Sequence, residues 1–193
     1  MNHIVDITPF DSRVDFGISQ QLNVQKIMVP VDGLEQERFE ELIKCLGQYL
    51  LVNENARIHL FTRQADYNRK EKLLEQTRQY LKTAELEEGW ALEESKSKGM
   101  AENELEQTEV IPIKFFVEQC VDELAVSRCI REQRIMVDMR KSSELYLRIT
   151  GISVGIPQIV YRETEFVEDG KNGMVLKNTD KSNIINIFYK KYH

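Results

Sequence analysis

Short apolar runs recur along the chain, and charged or turn-forming residues bound each of them. This pattern is typical of buried β-strands. The last run is the shortest and begins at the glycine of an Asn-Gly pair. The predicted strands occupy residues 26–31, 57–62, 112–119, 134–139, 157–161 and 173–176.

Stretches with helical spacing separate these runs. Between the first two strands, apolar residues recur every three or four positions and form one stripe, which consists of Phe39, Leu42, Ile43, Leu46 and Leu50. Further helices are predicted through residues 73–84, 124–131, 144–149 and 184–189, and Ser142 or Ser143 is expected to cap the one at 144–149. Strands that alternate with helices indicate a mostly parallel sheet with helices on both faces. Right-handed crossovers make this a three-layer α/β/α Rossmann-like sandwich.

Two regions depart from this alternation. Residues 1–25 are polar with scattered apolar positions, and they are predicted to form an arm or linker that enters a single domain at 26–193. Residues 85–107 are mostly charged and contain two glycines. They are predicted to be a helix end followed by a mobile acidic surface loop, with a functional lid as the alternative.

The composition excludes several classes of protein. The net charge is −6 and the pI is near 5.3, which disfavours non-specific binding to nucleic acid because a phosphate backbone selects basic surfaces. No apolar run approaches the length of a membrane span, and the N-terminus lacks the pattern of a signal peptide. Three cysteines at unrelated spacings, Cys45, Cys120 and Cys129, do not indicate a disulfide framework, so a reducing, cytoplasmic setting is expected. The three histidines are far apart, and no metal site is predicted.

In an open parallel sheet a ligand binds beyond the carboxyl ends of the strands, where the strand order reverses. Four segments are expected at that edge, namely 31–36 (VDGLEQ), 139–145 (MRKSSEL), 151–157 (GISVGIP) and 161–166 (YRETEF). Each also has an ordinary structural interpretation. Asp32-Gly33 and the segment 168–173 are typical of tight turns. Arg140 could hold an anion, but a solvated basic residue at a helix start is the simpler expectation.

The last third of the chain resembles the C-terminal Rossmann domain of GT-B glycosyltransferases. The resemblance is carried by GIPQIV at 155–160 and TEFVEDGKNGMVLKN at 164–178. A closer resemblance is to the first accessory Sec protein family of Gram-positive bacteria. It rests on ITPFDSR with FGISQ near the N-terminus, on RIMVDMR at 134–140 and on ELYLRITGISVGIPQI at 144–159. Members of that family are much longer, so a fragment or a truncated homologue is expected.

The resemblance also implies that a donor pocket has degenerated. Retaining GT-B enzymes carry two glutamates eight positions apart before the Gly-x-Pro, and these positions hold Ser142 and Thr150 here. A hydroxyl cannot replace the paired acceptor of a carboxylate. Acidic residues stand in the first loop, and Arg162 and Glu163 replace glycines after the fifth strand, so a diphosphate would meet like charge. The positions assigned to this pocket are Asp32, Arg140, Ser142, Thr150, Gly155, Pro157, Glu163 and Glu165.

The function that this resemblance implies is a non-catalytic role, without a cofactor, in the accessory Sec export of glycosylated, serine-rich adhesins. The implied partners are the other accessory Sec proteins, the dedicated Sec motor ATPase and the adhesin itself, bound through protein or glycan. The implied location is the cytoplasm or the inner face of the membrane. The arm with Phe10 and Phe16 and the last helix are expected at a flank where a second copy could pack. The alternatives are the donor-binding half of an active GT-B glycosyltransferase and a Rossmann module for another small ligand.

Overall fold

The computed structural model of the chain describes residues 25–86, 91–92, 113–142, 144–161 and 166–176. Within these ranges the chain forms seven strands and four helices. The strands are β1 (Gln25–Pro30), β2 (Ala56–Thr62), β3 (Ala91–Leu92), β4 (Ile113–Gln119), β5 (Ile135–Asp138), β6 (Gln158–Val160) and β7 (Gly173–Val175). The helices are α1 (Gln36–Val52), α2 (Arg69–Thr83), α3 (Glu123–Arg131) and α4 (Leu145–Ser153).

All seven strands belong to one sheet, in the order β3-β4-β2-β1-β5-β6-β7, and every pairing is parallel. The chain starts in the middle with β1, adds β2 and β4 on one side, and returns to add β5, β6 and β7 on the other. The strand order therefore reverses between β1 and β5.

The reversal places the helices on opposite faces of the sheet, because right-handed crossovers in opposite directions lie on opposite faces. Helices α1 and α2 pack on one face through a core that includes Phe39, Leu46 and Leu73. Helices α3 and α4 pack on the other face through Val126 and Leu147. The predicted three-layer sandwich with a parallel sheet is confirmed.

The apolar stripe of α1 illustrates why these elements form. All five predicted stripe residues of this helix are buried, with exposed fractions of 5% or less. Successive residues of a buried strand point to opposite faces, so β2 supplies Ile58 and Leu60 to one core and Phe61 to the other. Cys45 and Cys129 are buried within α1 and α3 as small apolar residues, as expected, and burial raises the pKa of the Cys129 thiol.

The six predicted strands are confirmed to within one residue at each end, but two details of the elements between them were wrong. The short strand β3 lies inside the segment predicted as a charged loop, where its two residues pair with β4. Helix α4 continues to Ser153, so Gly151 is helical rather than part of the following turn. A Cβ at Gly151 would lie 2.7 Å from Gln158 Nε2, so the absence of a side chain there allows the helix to pack closely on β6.

The predicted cap of α4 was also wrong. The N-cap residue is Glu144, and it makes no side-chain capping hydrogen bond. Its carboxylate instead pairs with Arg63 from the loop after β2. The N-terminal arm, most of the charged segment and the predicted C-terminal helix lie outside the described residues.

Candidate functional site

The reversal between β1 and β5 brings two loops together at the carboxyl edge of the sheet. The loop after β1 runs through residues 31–35, and the loop after β5 runs through residues 139–144. Ligands of doubly wound sheets bind in this position. We call this place the switch-point crevice.

Asp32, in the loop after β1, contacts the end of β2. Its carboxylate accepts hydrogen bonds from Thr62 Oγ1 at 2.7 Å and from the Arg63 backbone N–H at 2.6 Å, and Arg69 Nη2 lies 3.5 Å away. The following residue, Gly33, has φ +78°, which confirms the predicted turn. The carboxylate is therefore engaged by the chain and joins the first loop to the end of β2.

Arg140 is buried, so the expectation of a solvated basic residue was wrong. Its Nε lies 2.8 Å from Asp138 Oδ1, and its Nη2 lies 2.9 Å from Asp138 Oδ2. A third donor, Nη1, reaches the Asp32 carbonyl oxygen at 3.3 Å. A bidentate pair of this kind holds the guanidinium in one orientation. It leaves Arg140 bound to β5 and to the first loop.

Arg38, in the first turn of α1, contacts the residues that follow β5 and β6. Its guanidinium carbon lies 3.6 Å from the centre of the Tyr161 ring, which is the geometry of a cation–π contact. Its Nη1 donates to the Met139 carbonyl oxygen at 3.2 Å, and its Nε lies 3.1 Å from Glu35. Lys141 pairs with the same Glu35. These contacts connect the ends of β1, β5 and β6.

Arg63 lies at the far end of the crevice, above β2 and β4. It pairs with Glu144, donates to the Val121 carbonyl oxygen at 3.3 Å, and lies 5.9 Å from the centre of the Tyr146 ring. Arg38, Arg63, Arg69 and Arg140 are thus all held by acceptors of the chain. The acids Asp32 and Glu35, expected to repel a diphosphate, are neutralised by these pairs.

The two positions that the resemblance matched to enzyme glutamates lie in different elements of the structure. Ser142 is exposed in the loop after β5, at the carboxyl edge. Thr150 is half-buried in α4, and its carbonyl oxygen accepts from Ser153 Oγ at 2.8 Å. Neither side chain offers a carboxylate to the crevice.

Gly155 and Pro157 were expected at the carboxyl edge, and this placement was wrong. The segment that contains them leads into β6, so in an all-parallel sheet it lies at the amino edge. Gly155 there adopts φ +78° in the turn between α4 and β6. The other two assigned positions, Glu163 and Glu165, lie outside the described residues.

The sequence reasoning assigned no role in the crevice to Arg38, Arg63, Arg69 or Asp138. It expected Tyr161 at this edge only as the first residue of the segment 161–166. The Asp-x-Arg spacing at 138–140 was a usable signal, because alternate residues at the end of a strand share a face. No local sequence pattern could indicate the Arg38–Tyr161 contact, because the two residues are far apart in the chain.

One electrostatic effect outside the crevice joins β2 and β4. The hydrogen bond from His59 lowers the pKa of the Glu118 carboxyl, with Glu118 Oε1 3.0 Å from His59 Nδ1. Over the described residues, no group of three or more potential ligands could hold a metal ion. The same part of the chain contains no helix that is long and apolar enough to cross a membrane.

A family model and two curated relatives all point to the same protein family. The family model of the first accessory Sec system protein matches residues 1–192. The corresponding accessory Sec system protein of Staphylococcus aureus is 27% identical over 187 residues, which cover 93% of this chain and 33% of that protein. The one from Streptococcus gordonii is 26% identical over 183 residues, covering 95% of this chain and 34% of that protein. The chain therefore spans about a third of the length of these curated relatives.

Solved structures show the same fold at low sequence identity. The Glycosylation Associate Protein (Gap123) complex from Streptococcus agalactiae gives a TM-score of 0.66 with 24% identity, covering 93% of this chain and 32% of that chain. The structure of accessory secretory protein 1, 2 and 3 from Streptococcus pneumoniae gives a TM-score of 0.59 with 19% identity, covering 89% of this chain and 27% of that chain. HepE of Anabaena in complex with UDP-glucose gives a TM-score of 0.54 with 14% identity, covering 88% of this chain and 39% of that chain.

Proposed function

Because the chain belongs to the family of the first accessory Sec system protein, we propose that it is a non-catalytic component of accessory Sec export that acts through protein contacts. Its fold resembles the C-terminal domain of GT-B glycosyltransferases. A fold hosts many functions, so the role depends on the residues of the crevice.

The observation that carries the proposal is the self-occupied switch-point crevice. A sugar nucleotide needs free cationic donors and open backbone N–H groups for its diphosphate. Here the Arg38 guanidinium stacks on Tyr161, and Arg140 is bound on both sides of its fork by Asp138 and the Asp32 carbonyl. A diphosphate would have to break these contacts before it gained any of its own.

The neutral residues at the two family glutamate positions support the same proposal. Ser142 and Thr150 can each make single hydrogen bonds to a sugar or ribose hydroxyl, where a carboxylate would accept two. Each charge-assisted hydrogen bond that is lost is worth roughly 1.5–3 kcal/mol. Such losses would move micromolar affinity toward the millimolar range.

The proposed partners are the other accessory Sec proteins, the Sec motor ATPase and a glycosylated serine-rich adhesin, met in the cytoplasm or at the inner face of the membrane. Two structural relatives support the first of these, because one is named as the Glycosylation Associate Protein (Gap123) complex and the other as accessory secretory protein 1, 2 and 3.

Titration calorimetry with UDP, UDP-glucose and UDP-N-acetylglucosamine tests the non-catalytic role. We expect no measurable binding at millimolar ligand, which corresponds to a binding free energy weaker than about −4 kcal/mol. HepE of Anabaena, whose structure holds UDP-glucose, provides the positive control. Micromolar affinity of the unmodified chain would overturn the proposal and favour the donor-binding half of an active glycosyltransferase.

A double variant separates the two reasons for weak binding. Ser142→Glu with Thr150→Glu restores both carboxylates but leaves Arg38 and Arg140 engaged. We expect this variant to remain without measurable binding. Binding by the double variant alone would show that the missing carboxylates, and not the occupied crevice, exclude the ligand.

A further inference from the structure

Four large apolar side chains are exposed at the carboxyl edge of the sheet, beside the switch-point crevice. They are Tyr67 at 91% exposure, Val121 at 55%, Leu124 at 62% and Leu145 at 51%. We call these four residues the edge patch. They come from three separate segments, namely the loop after β2, the segment that leads from β4 into α3, and the start of α4.

Hydrogen bonds join the three segments that carry the edge patch. Gln119 Nε2 donates to the Asp66 carbonyl oxygen at 3.0 Å, which ties the loop of Tyr67 to the end of β4. Arg63 connects the Val121 carbonyl oxygen to Glu144, the residue before Leu145. The backbone segments that carry the exposed side chains are therefore connected to one another by hydrogen bonds.

A third bond joins the starts of helices α3 and α4. The hydroxyl of Tyr146 donates to the Glu123 carbonyl oxygen at 3.2 Å, so the residues beside Leu124 and Leu145 are in contact. Contiguous exposed apolar groups rimmed by polar residues mark interaction sites more often than isolated ones do.

The rim of the edge patch is acidic. Asp66, Asp122 and Glu123 are exposed around it. Two of these carboxylates are fixed in place, because Asp66 accepts from the Asn68 N–H at 3.0 Å and Asp122 accepts from the Ala125 N–H at 2.8 Å. The positive charge of Arg63 is offset by Glu144.

From this arrangement we propose that the edge patch binds a partner protein. The contact surface of that partner carries apolar residues flanked by lysine or arginine. The acidic rim complements basic residues and disfavours a membrane surface, because cytoplasmic leaflets are themselves anionic. The proposal rests on the protein-contact role argued above and adds to it the surface and the chemistry of the partner.

Two matched double variants test the edge patch. Leu124→Ser with Leu145→Ser removes two apolar side chains from it. Leu51→Ser with Val52→Ser removes two side chains of similar exposure, 51% and 52%, from the end of α1 at the opposite edge of the sheet. Thermal unfolding verifies that both variants fold like the unmodified chain.

The probes are the accessory secretory proteins 2 and 3 encoded by the same organism, with binding measured by titration. We expect the edge variant to weaken binding at least about 10-fold, and the control variant to leave it unchanged. Glu123→Lys, which reverses one rim charge, should also weaken binding, and added salt should reduce the difference between Glu123→Lys and the unmodified chain.

Equal effects of the two double variants, or no binding of either protein by the unmodified chain, would overturn the proposal. Two further outcomes would overturn it in favour of another occupant. The edge variant could abolish binding to vesicles that contain anionic lipid, or it could abolish self-association in sedimentation. None of these results depends on the UDP titration, so failure of the edge patch is distinguishable from failure of the non-catalytic role.

Discussion

Asp138 and Arg140 place two opposite charges side by side in the protein interior, with side-chain exposures of 2% and 4%. Burying a charge is costly unless a partner and further hydrogen bonds satisfy it. Here the Asp138 carboxylate accepts from Nε, Nη2 and the Arg140 backbone N–H. This local pair explains why a basic residue at the crevice is unavailable to an anion.

We predict that Asp138→Asn lowers the free energy of unfolding by about 3–5 kcal/mol, because it leaves the Arg140 guanidinium buried without its counter-charge. Urea denaturation followed by circular dichroism measures the change. The control is Glu75→Gln, which breaks the exposed pair with Arg78 and should cost less than about 1 kcal/mol. Similar losses for both variants would contradict the role assigned to the buried pair.

Strand β7 shows how a short element is held by its turn. The Asn172 side chain donates to the Phe166 carbonyl oxygen at 2.6 Å and accepts from the Glu168 N–H at 2.8 Å. Asp169 accepts from the Val175 N–H at 3.1 Å. The turn residues therefore brace the segment that pairs with β6, which confirms the turn interpretation of the Glu-Asp-Gly-Lys-Asn-Gly segment.

Gly173, the first residue of β7, is required there for a steric reason. A Cβ at this position would clash with the Gln158 carbonyl oxygen and would lie 2.7 Å from Val167 Cγ1. We predict that Gly173→Ala lowers the free energy of unfolding by about 1–3 kcal/mol, because the β6–β7 pairing must shift. Urea denaturation again provides the measurement.

Gly170→Asn is the matched control for Gly173→Ala. Gly170 has φ +79°, which asparagine tolerates, and a Cβ there would meet no atom within 4 Å. We expect a change of no more than about 0.5 kcal/mol. A larger loss at Gly170 than at Gly173 would show that the turn conformation, rather than close packing on β6, limits stability.

At the scale of the whole molecule, the central strands of the sheet are hydrogen-bonded to neighbours on both sides. Within the described residues, β1 and β2 are each paired on both sides and covered by helices on both faces, whereas β7 is paired with β6 alone. Local opening requires less free energy where fewer bonds and contacts must be broken.

Hydrogen exchange read by mass spectrometry should reflect this arrangement. We predict the slowest exchange in peptides that cover β1 and β2, and faster exchange, by at least about 10-fold, in peptides that cover β7. Protection of β7 equal to that of β1 would show that residues beyond the described part of the sheet cover its edge.

The periodicity of the sequence was sufficient to predict the strands, the α1 stripe and the parallel three-layer class. It was insufficient for β3, since two residues are too short to show a period. It was also insufficient for the end of α4, because Gly151 weakens a helical pattern and is accommodated only through its contact with β6. The placement of the Gly155 turn was wrong because this segment leads into β6 rather than out of a strand, and in an all-parallel sheet such a segment lies at the amino edge.

The sequence by itself therefore determined the order and class of the elements, because each depends on neighbours within a few residues. Only the tertiary structure decided which charges meet in the crevice. Arg140 reaches the Asp32 carbonyl 108 residues away, Arg38 reaches Met139 over 101 residues, and Arg63 reaches Glu144 over 81. No local pattern records such pairs, since it is the reversal of the strand order between β1 and β5 that brings the loops together.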